Sequence, residues 1–276
     1  GVVSIVSDTW DFWHVITDMA AELKPEIMAR TPNAIGLNKV VFRPDSGDPV
    51  EIICGLYIEE LKVSTLEEAK QCAEDLIEMR VRSETDHGEM GDDAPSDYFI
   101  FDGQVYLAQV ELEWNRYDKQ YYYIDGSRLV SFEPVELTPA QKGAVQCLWD
   151  TFGGTVNAEG FKMLDEHVGL IYGDSITLER ADQILKRLKA KGFASSNVVF
   201  GIGSYTYQYV TRDSFGFAMK ATYAEVNGEG SELFKDPATD NGTKKSAKGL
   251  LRVEFEDGKF VLYDQQTKEQ EAQGCL

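Results

Sequence analysis

The sequence is 276 residues long, with 43% hydrophobic and 27% charged residues, a composition typical of a folded globular protein that excludes intrinsic disorder. No stretch approaches the ~18 consecutive apolar residues of a membrane-spanning helix. The formal net charge is -20, and residues 59–136 carry 20 acidic against 7 basic residues, so we expect the surface to repel nucleic acid.

The cysteines indicate a reducing compartment. Cys54, Cys72, Cys147 and Cys275 form no Cys-x-x-Cys pair and no signal peptide precedes them, so free thiols in the cytoplasm are expected. The chain opens at Gly1 directly in an apolar run, which we interpret as a missing upstream portion. A processed or separately encoded half-protein is the alternative.

One pattern recurs along the chain: a short β-branched run, polar residues where the run ends, and then a helical stretch. Thr177 is a suitable N-cap for the clearest of these helices, expected from about Leu178 to Lys191. Strands that alternate with helices predict a parallel sheet. The four runs are Val2–Val6, Val40–Phe42, Val168–Tyr172 and Val198–Phe200.

Residues 59–136 interrupt this alternation and predict an inserted α+β subdomain. An acidic amphipathic helix is expected over Leu66–Val81, and hairpin turns are expected at Asp102-Gly103 and Asp125-Gly126. The acidity suggests a solvated lobe or a surface for a basic partner. The predicted strands are Tyr98–Phe101, Val105–Trp114, Tyr121–Ile124 and Leu129–Phe132.

Beyond the fourth β-branched run the pattern becomes antiparallel. Phe217–Val226 is predicted as a strand, Leu250–Phe255 with Lys259–Tyr263 as a hairpin, and the polar tail from Gln265 as frayed. The expected domains are two parts of a β/α barrel (1–58 and 137–212), the acidic insertion (59–136) and a β-rich segment with the tail (213–276).

Polar residues follow each predicted parallel strand, where such sheets collect ligand-binding groups. Arg43 can hold a phosphate or diphosphate, and Asp45 can hold a sugar hydroxyl or hydrated Mg²⁺. An internal salt bridge between these two residues is the alternative, and helix capping is the alternative for the acids. The strand-end residues are Asp8, Arg43, Asp45, Gly173, Asp174, Gly203 and Ser204.

The turn Gly201–Ser204 can present backbone N–H groups to a phosphate, with Arg212 and Lys220 supplying positive charge. A tight strand-to-helix turn is the alternative reading. Nucleophilic and metal-centre chemistry are poorly supported, because no cysteine follows a strand beside a histidine and the histidines lack ligand spacing. The histidines are His14, His87 and His167.

Six motifs in this order resemble the C-terminal half of the nicotinamide phosphoribosyltransferase family, in a form similar to bacteriophage versions. The likeness covers about residues 1–57 and 137–263. The motifs are Val6-Ser7-Asp8-Thr9-Trp10-Asp11, Phe42-Arg43-Pro44-Asp45-Ser46-Gly47-Asp48-Pro49, Tyr172-Gly173-Asp174-Ser175, Phe200-Gly201-Ile202-Gly203-Ser204, Thr211-Arg212-Asp213 and Leu233-Phe234-Lys235-Asp236-Pro237.

The resemblance implies the C-terminal half of a type II phosphoribosyltransferase β/α barrel with an α+β insertion. It also implies transfer of phosphoribose from 5-phosphoribosyl-1-diphosphate to nicotinamide, with Mg²⁺ and coupled ATP hydrolysis, in a cytoplasmic homodimer with shared active sites. By motif, Asp8 and Asp45 would organise the ribose and hydrated Mg²⁺.

The same resemblance distributes the remaining roles. Arg43 would contact the diphosphate and ribosyl ligand, and Gly173 with Asp174 would hold ribose hydroxyls. The 5′-phosphate site would consist of Gly203, Ser204, Arg212 and Lys220, the last two from a partner subunit.

Two alternatives remain open. Nicotinate phosphoribosyltransferase shares this plan, and the residues that choose the base, like the family's phospho-accepting histidine, are expected upstream. The chain alone is therefore predicted to be inactive. A non-catalytic split half that acts as an assembly partner is the other alternative.

Overall fold

The computed structural model describes residues 1–86, 96–111, 113–115, 120–122, 129–173, 176–203, 208, 210, 213–217, 219–236, 238 and 245–274. Two compact units are present, one made of Gly1–Gly55 with Pro139–Leu276 and the other of Leu56–Thr138. None of the described helices combines the length and the apolar character that a bilayer crossing needs.

The first unit opens with a strand and an interrupted helical stretch. Asp11 begins that stretch, because its side chain accepts a hydrogen bond from the His14 N–H at 3.1 Å. Asp48 likewise begins the next helix. The elements are β1 (Val3–Val6), α1 (Phe12–His14), a π-helical turn (Val15–Met19), α2 (Ala20–Glu22), α3 (Lys24–Met28), β2 (Val40–Arg43) and α4 (Pro49–Cys54).

The second unit packs one long helix on a mostly antiparallel sheet. The elements are β3 (Glu59–Glu60), α5 (Leu66–Asp86), β4 (Ser96–Phe101), β5 (Gln104–Val110), β6 (Glu113–Asn115), β7 (Gln120–Tyr122) and β8 (Leu129–Pro134). The sheet order is β3-β4-β5-β8, with β3 and β4 parallel, and β6 pairs with β7.

A separate core fills this second unit. Ala69, Ala73, Ile77 and Val81 recur every four residues on α5 and pack with residues of the sheet such as Phe99. The predicted Asp102-Gly103 turn joins β4 to β5, and both of its residues have the positive φ that a tight hairpin needs. The strand predicted over 105–114 is instead two strands. The predicted Asp125-Gly126 turn lies outside the described residues.

The first unit resumes with more βα structure. Thr177 caps α8 as predicted, since its hydroxyl oxygen accepts from the Arg180 N–H at 3.3 Å. The elements are α6 (Pro139–Lys142), α7 (Ala144–Phe152), β9 (Gly154–Val156), β10 (Lys162–Leu164), β11 (Val168–Tyr172), α8 (Leu178–Ala190), a 3₁₀ turn (Ser195–Asn197) and β12 (Val198–Phe200).

Four of these strands form a parallel sheet in the order β1-β2-β11-β12, which confirms the predicted α/β class. One face of the sheet is covered by helices. Phe42 and Leu170 from the strands pack there with Ile53, Leu148 and Ile184 from the helices, all of them buried. Within the described residues β1 is an edge strand with one neighbour.

The edge formed by β1 is apolar. Val3, Ile5 and Val6 are 41–49% exposed. Beside them lies an apolar cleft of about 460 Å³, whose lining includes Met19 and Leu23. An edge strand of this character is a surface that a further strand can cover.

The chain leaves and re-enters the first unit at one point. Gly55 and Gly143 both have positive φ, and a Cβ on Gly143 would lie 2.3 Å from the Gly55 nitrogen. The half-buried Lys191 ammonium donates to the carbonyl oxygens of Cys54 and, at 3.1 Å, Lys142. The two chain segments are thus in direct backbone contact.

The C-terminal part is antiparallel, as predicted. The Asp257-Gly258 turn forms the expected hairpin between its last two strands. The elements are a 3₁₀ turn (Asp213–Phe215), β13 (Tyr223–Val226), β14 (Glu229–Glu232), β15 (Leu250–Glu256), β16 (Lys259–Gln266) and α9 (Lys268–Glu271).

Two sequence expectations here are wrong. The strand predicted from Phe217 begins only at Tyr223, where its pairing with the four-residue strand β14 starts. The tail is not simply frayed, since Thr267 and Gln270 form a capping box that begins α9.

Candidate active site

The carboxyl ends of three neighbouring parallel strands carry the candidate site. Asp8 lies two residues beyond β1, Arg43 ends β2, and Gly173 follows β11. The Gly173 N–H donates to the Pro44 carbonyl at 3.0 Å. A Cβ at Gly173 would lie 2.8 Å from the Asp45 Cβ and 3.2 Å from the Arg43 Nε, so only glycine allows this approach.

Asp8 is completely buried between the strand ends. Its Oδ2 accepts a hydrogen bond from the Asp45 N–H at 2.9 Å and another from the Ser46 hydroxyl. Its Oδ1 has no hydrogen-bond partner among the described residues. The capping alternative for Asp8 is wrong, because Asp11 caps the helix that follows β1.

Arg43 presents its guanidinium at this edge. In the described part of the chain the guanidinium makes no hydrogen bond or ion pair, so the alternative of an internal bridge to Asp45 is not found there. Asp45 instead pairs with Lys235, whose Nζ lies 3.2 Å from its Oδ1. The geometry therefore leaves Arg43 available for an anionic ligand.

Lys235 is the site residue that sequence reasoning missed. It lies on the loop after β14, and its Nζ is also 3.8 Å from Asp8 Oδ1. The loop is held against the segment after β1, because the Asp236 N–H donates to the Thr9 carbonyl at 3.1 Å. In the sequence Lys235 belongs to the motif Leu233–Pro237, for which the strand-end pattern predicts no role.

Tyr172 supports the loop that follows β2. Its hydroxyl donates to the Gly47 carbonyl at 2.7 Å. Burial, with the charges of Asp45 and Asp8 nearby, raises the pKa of the Tyr172 phenol. The phenol therefore remains protonated at neutral pH and keeps this hydrogen bond.

The predicted phosphate turn is described only in part. Gly201 packs against β11, since its N–H donates to the Tyr172 carbonyl at 2.8 Å and a Cβ would lie 2.1 Å from the Gly173 oxygen. Gly203 follows with a φ of 61°. Lys220 is exposed. Asp174, Ser204 and Arg212 lie outside the described residues.

The two buried cysteines, Cys54 and Cys147, are unsuited to nucleophilic catalysis. Cys54, Cys72 and Cys147 are free, as predicted, and Cys275 lies outside the described residues. Burial raises the pKa of Cys54 to about 11 and that of Cys147 to about 12. Both thiols therefore stay protonated at neutral pH.

The histidines are occupied by other contacts. His14 pairs with Asp18 at the surface, and His167 lies 2.7 Å from Asp165; His87 is outside the described residues. Across the described ranges no group of three His, Cys, Asp or Glu side chains could hold a metal ion. A cation at this edge would therefore depend on ligands from a bound molecule or water.

Comparisons with known proteins agree on one family. The model of the nicotinate phosphoribosyltransferase (NAPRTase) family matches residues 114–272. A nicotinamide phosphoribosyltransferase of Acinetobacter baylyi is 50% identical over 276 residues, all of this chain and 40% of that protein. One of Mycoplasma pneumoniae is 28% identical over 247 residues, 90% of this chain and 37% of that protein. The chain thus spans about two fifths of the length of these relatives.

Proposed function

The chain belongs to the nicotinate phosphoribosyltransferase (NAPRTase) family, and from this premise we propose that it forms part of an enzyme of NAD salvage. The reaction is transfer of phosphoribose from 5-phosphoribosyl-1-diphosphate to nicotinamide, giving nicotinamide mononucleotide and diphosphate. The names of the two relatives favour nicotinamide over nicotinate. The observation that carries the proposal is the guanidinium of Arg43, which has no partner among the described residues and lies with two carboxylates at one sheet edge.

In the proposed mechanism the diphosphate leaves as the nicotinamide nitrogen bonds to the anomeric carbon of the ribose. Arg43 holds the diphosphate in bidentate fashion and stabilises the negative charge that develops on it. Asp45 orients a ribose hydroxyl. The chain needs no side-chain nucleophile for this reaction, because catalysis consists of positioning and charge stabilisation.

The residues at this edge fit a hydrated Mg²⁺. Asp8 offers a buried oxygen with no described partner, and Asp45 lies next to it. Mg²⁺ is commonly held by one or two carboxylates, waters and substrate phosphates, and it would neutralise diphosphate charge here. Lys235 contacts both carboxylates and adds a further cation for the diphosphate. We also propose coupled ATP hydrolysis, as the resemblance implies.

The phosphate end of the ligand is proposed to bind the turn at Gly203 and Ser204, with Gly173 and Asp174 at the ribose. Arg212 and Lys220 would serve the site of a second subunit in a homodimer. The exposure of Lys220 at the surface of this chain supports this assignment. The cytoplasmic location stays a prediction.

The activity is tested with the full-length protein, in which the residues keep the numbers of this chain. With 5-phosphoribosyl-1-diphosphate, ATP and Mg²⁺, we expect nicotinamide mononucleotide to form, with a kcat/KM for nicotinamide well above that for nicotinate. A preference for nicotinate would instead assign the alternative activity. No nucleotide from either base would contradict the proposal and favour the non-catalytic assembly role.

We also propose that the parallel sheet is completed into a barrel by strands from the part of the relatives' length that this chain does not span. The exposed edge of β1 and the cleft beside it support this. In the full-length protein, the β1 amide hydrogens that face away from β2 are then expected to exchange slowly with solvent. Rapid exchange at Ser4 and Val6, whose N–H groups point away from β2, would show that β1 remains an open edge.

A further inference from the structure

The carboxylate of Asp8 is held asymmetrically. Oδ2 receives two donors, the Asp45 N–H at 2.9 Å and the Ser46 hydroxyl, whereas Oδ1 receives none among the described residues. The nearest described cation to Oδ1 is the Lys235 ammonium, at 3.8 Å. The two oxygens of one side chain therefore have different environments.

Ser46 is completely buried, and its hydroxyl is used by the hydrogen bond to Asp8 Oδ2. A carboxylate oxygen accepts about two hydrogen bonds, so the two donors satisfy Oδ2 and prevent rotation of the group. A buried carboxylate oxygen without a donor is costly unless a ligand or cation completes it. The hydrogen bonds on Oδ2 thus determine that Oδ1 is the oxygen left for that purpose.

We infer that Ser46 is a positioning residue, which fixes Oδ2 of Asp8 and so presents Oδ1 to the cation that accompanies the diphosphate. The inference rests on the proposed function for the identity of the ligand. The orientation of the carboxylate, however, is a property of the protein that can be measured without catalysis.

A purely structural role for Ser46 would lie in holding the loop after β2. Tyr172 allows the two roles to be separated, because its hydroxyl holds the same loop through the Gly47 carbonyl without a hydrogen bond to Asp8. Tyr172→Phe is therefore the matched control, since it removes one loop hydrogen bond and leaves both donors on Asp8 Oδ2.

The experiment compares Ser46→Ala with Tyr172→Phe in the full-length protein. For Ser46→Ala we expect kcat to fall about 10–100-fold and the Mg²⁺ concentration for half-maximal rate to rise about tenfold, the range typical of residues that orient metal ligands. For Tyr172→Phe we expect a loss of thermal stability similar to that of Ser46→Ala and an unchanged Mg²⁺ dependence. Equal Mg²⁺ shifts in both variants would overturn the inference in favour of loop rigidity.

Two readouts do not require turnover. Electron paramagnetic resonance with Mn²⁺ and inorganic diphosphate should show weaker Mn²⁺ binding in Ser46→Ala, and its crystal structure should show the Asp8 carboxylate rotated. An unrotated carboxylate with unchanged Mn²⁺ binding would refute the positioning role. If the wild-type protein makes no nucleotide, the proposed function fails while the crystal structure still decides this question.

A second variant keeps the inference testable if Ser46→Ala does not fold. Ser46→Cys keeps a donor at this position but a weaker one, so it should give an intermediate Mg²⁺ shift. Should Ser46→Ala fail to fold, a wild-type Mg²⁺ dependence and Mn²⁺ affinity in Ser46→Cys would contradict the inference.

Discussion

Replacing Arg43 by alanine in the full-length protein is expected to lower kcat/KM for 5-phosphoribosyl-1-diphosphate by about 10²–10³-fold. The guanidinium of Arg43 has no partner in the described structure and lies against Gly173, at the edge where the diphosphate is proposed to bind. Removing one preorganised group that stabilises developing charge typically lowers the rate by a factor of this size. Steady-state kinetics with the donor varied would measure it.

Two further variants make the Arg43 result specific. Arg43→Lys keeps the charge and loses the bidentate geometry, so an intermediate loss is expected. Arg30 is the matched control, because it donates to the Asn38 and Gly1 carbonyls near the opposite end of the sheet. Arg30→Ala should leave kcat/KM close to that of the wild type. Wild-type kinetics in Arg43→Ala would remove Arg43 from the site.

Replacing Gly143 by alanine is expected to destabilise the first unit by about 3–5 kcal/mol, among the largest effects of a single substitution. The added Cβ would lie 2.3 Å from both the Cys54 carbonyl carbon and the Gly55 nitrogen. These are backbone atoms, which cannot move without displacing the end of α4. Gly143 also has a φ of 84°, which a residue with a Cβ rarely adopts.

Gly160→Ala separates the effect of the steric clash from the effect of the positive φ. Gly160 has a nearly equal φ of 86°, and a Cβ there would meet nothing within 4 Å. Its alanine variant should therefore lose only about 1–2 kcal/mol, the cost of the left-handed conformation. Urea unfolding followed by tryptophan fluorescence would compare the two. Equal losses would show that the contact between the crossing segments is not tight.

The parallel sheet was predictable because its strands are continuous β-branched runs with clear ends. Once the strands are parallel, the residues that follow them must share one edge, and Asp8, Arg43, Asp45 and Gly173 do so. The helix signals were equally local. Thr177 has a hydroxyl one residue before the first helical turn, and that hydroxyl is the cap.

The contribution of Lys235 could not be predicted from local pattern. It is 190 residues from Asp45 in sequence, on an irregular loop whose position depends on contacts with Thr9 and Trp10. The asymmetry of the Asp8 carboxylate is of the same kind, because it depends on donors from the loop after β2. The capping box at Thr267, by contrast, was readable as Thr-x-x-Gln and was overlooked.

The contact of Gly55 with Gly143 has a consequence for how this protein can vary. The chain leaves the first unit after Gly55 and has returned by Gly143, and the backbones at these two glycines are in contact, so the length of the segment between them puts no strain on the parallel sheet. We expect such a junction to tolerate a longer, shorter or unrelated inserted segment, provided that Gly55 and Gly143 are both kept. The inserted segment could therefore be exchanged, in evolution or by design, without changing the sheet edge that holds Asp8 and Arg43.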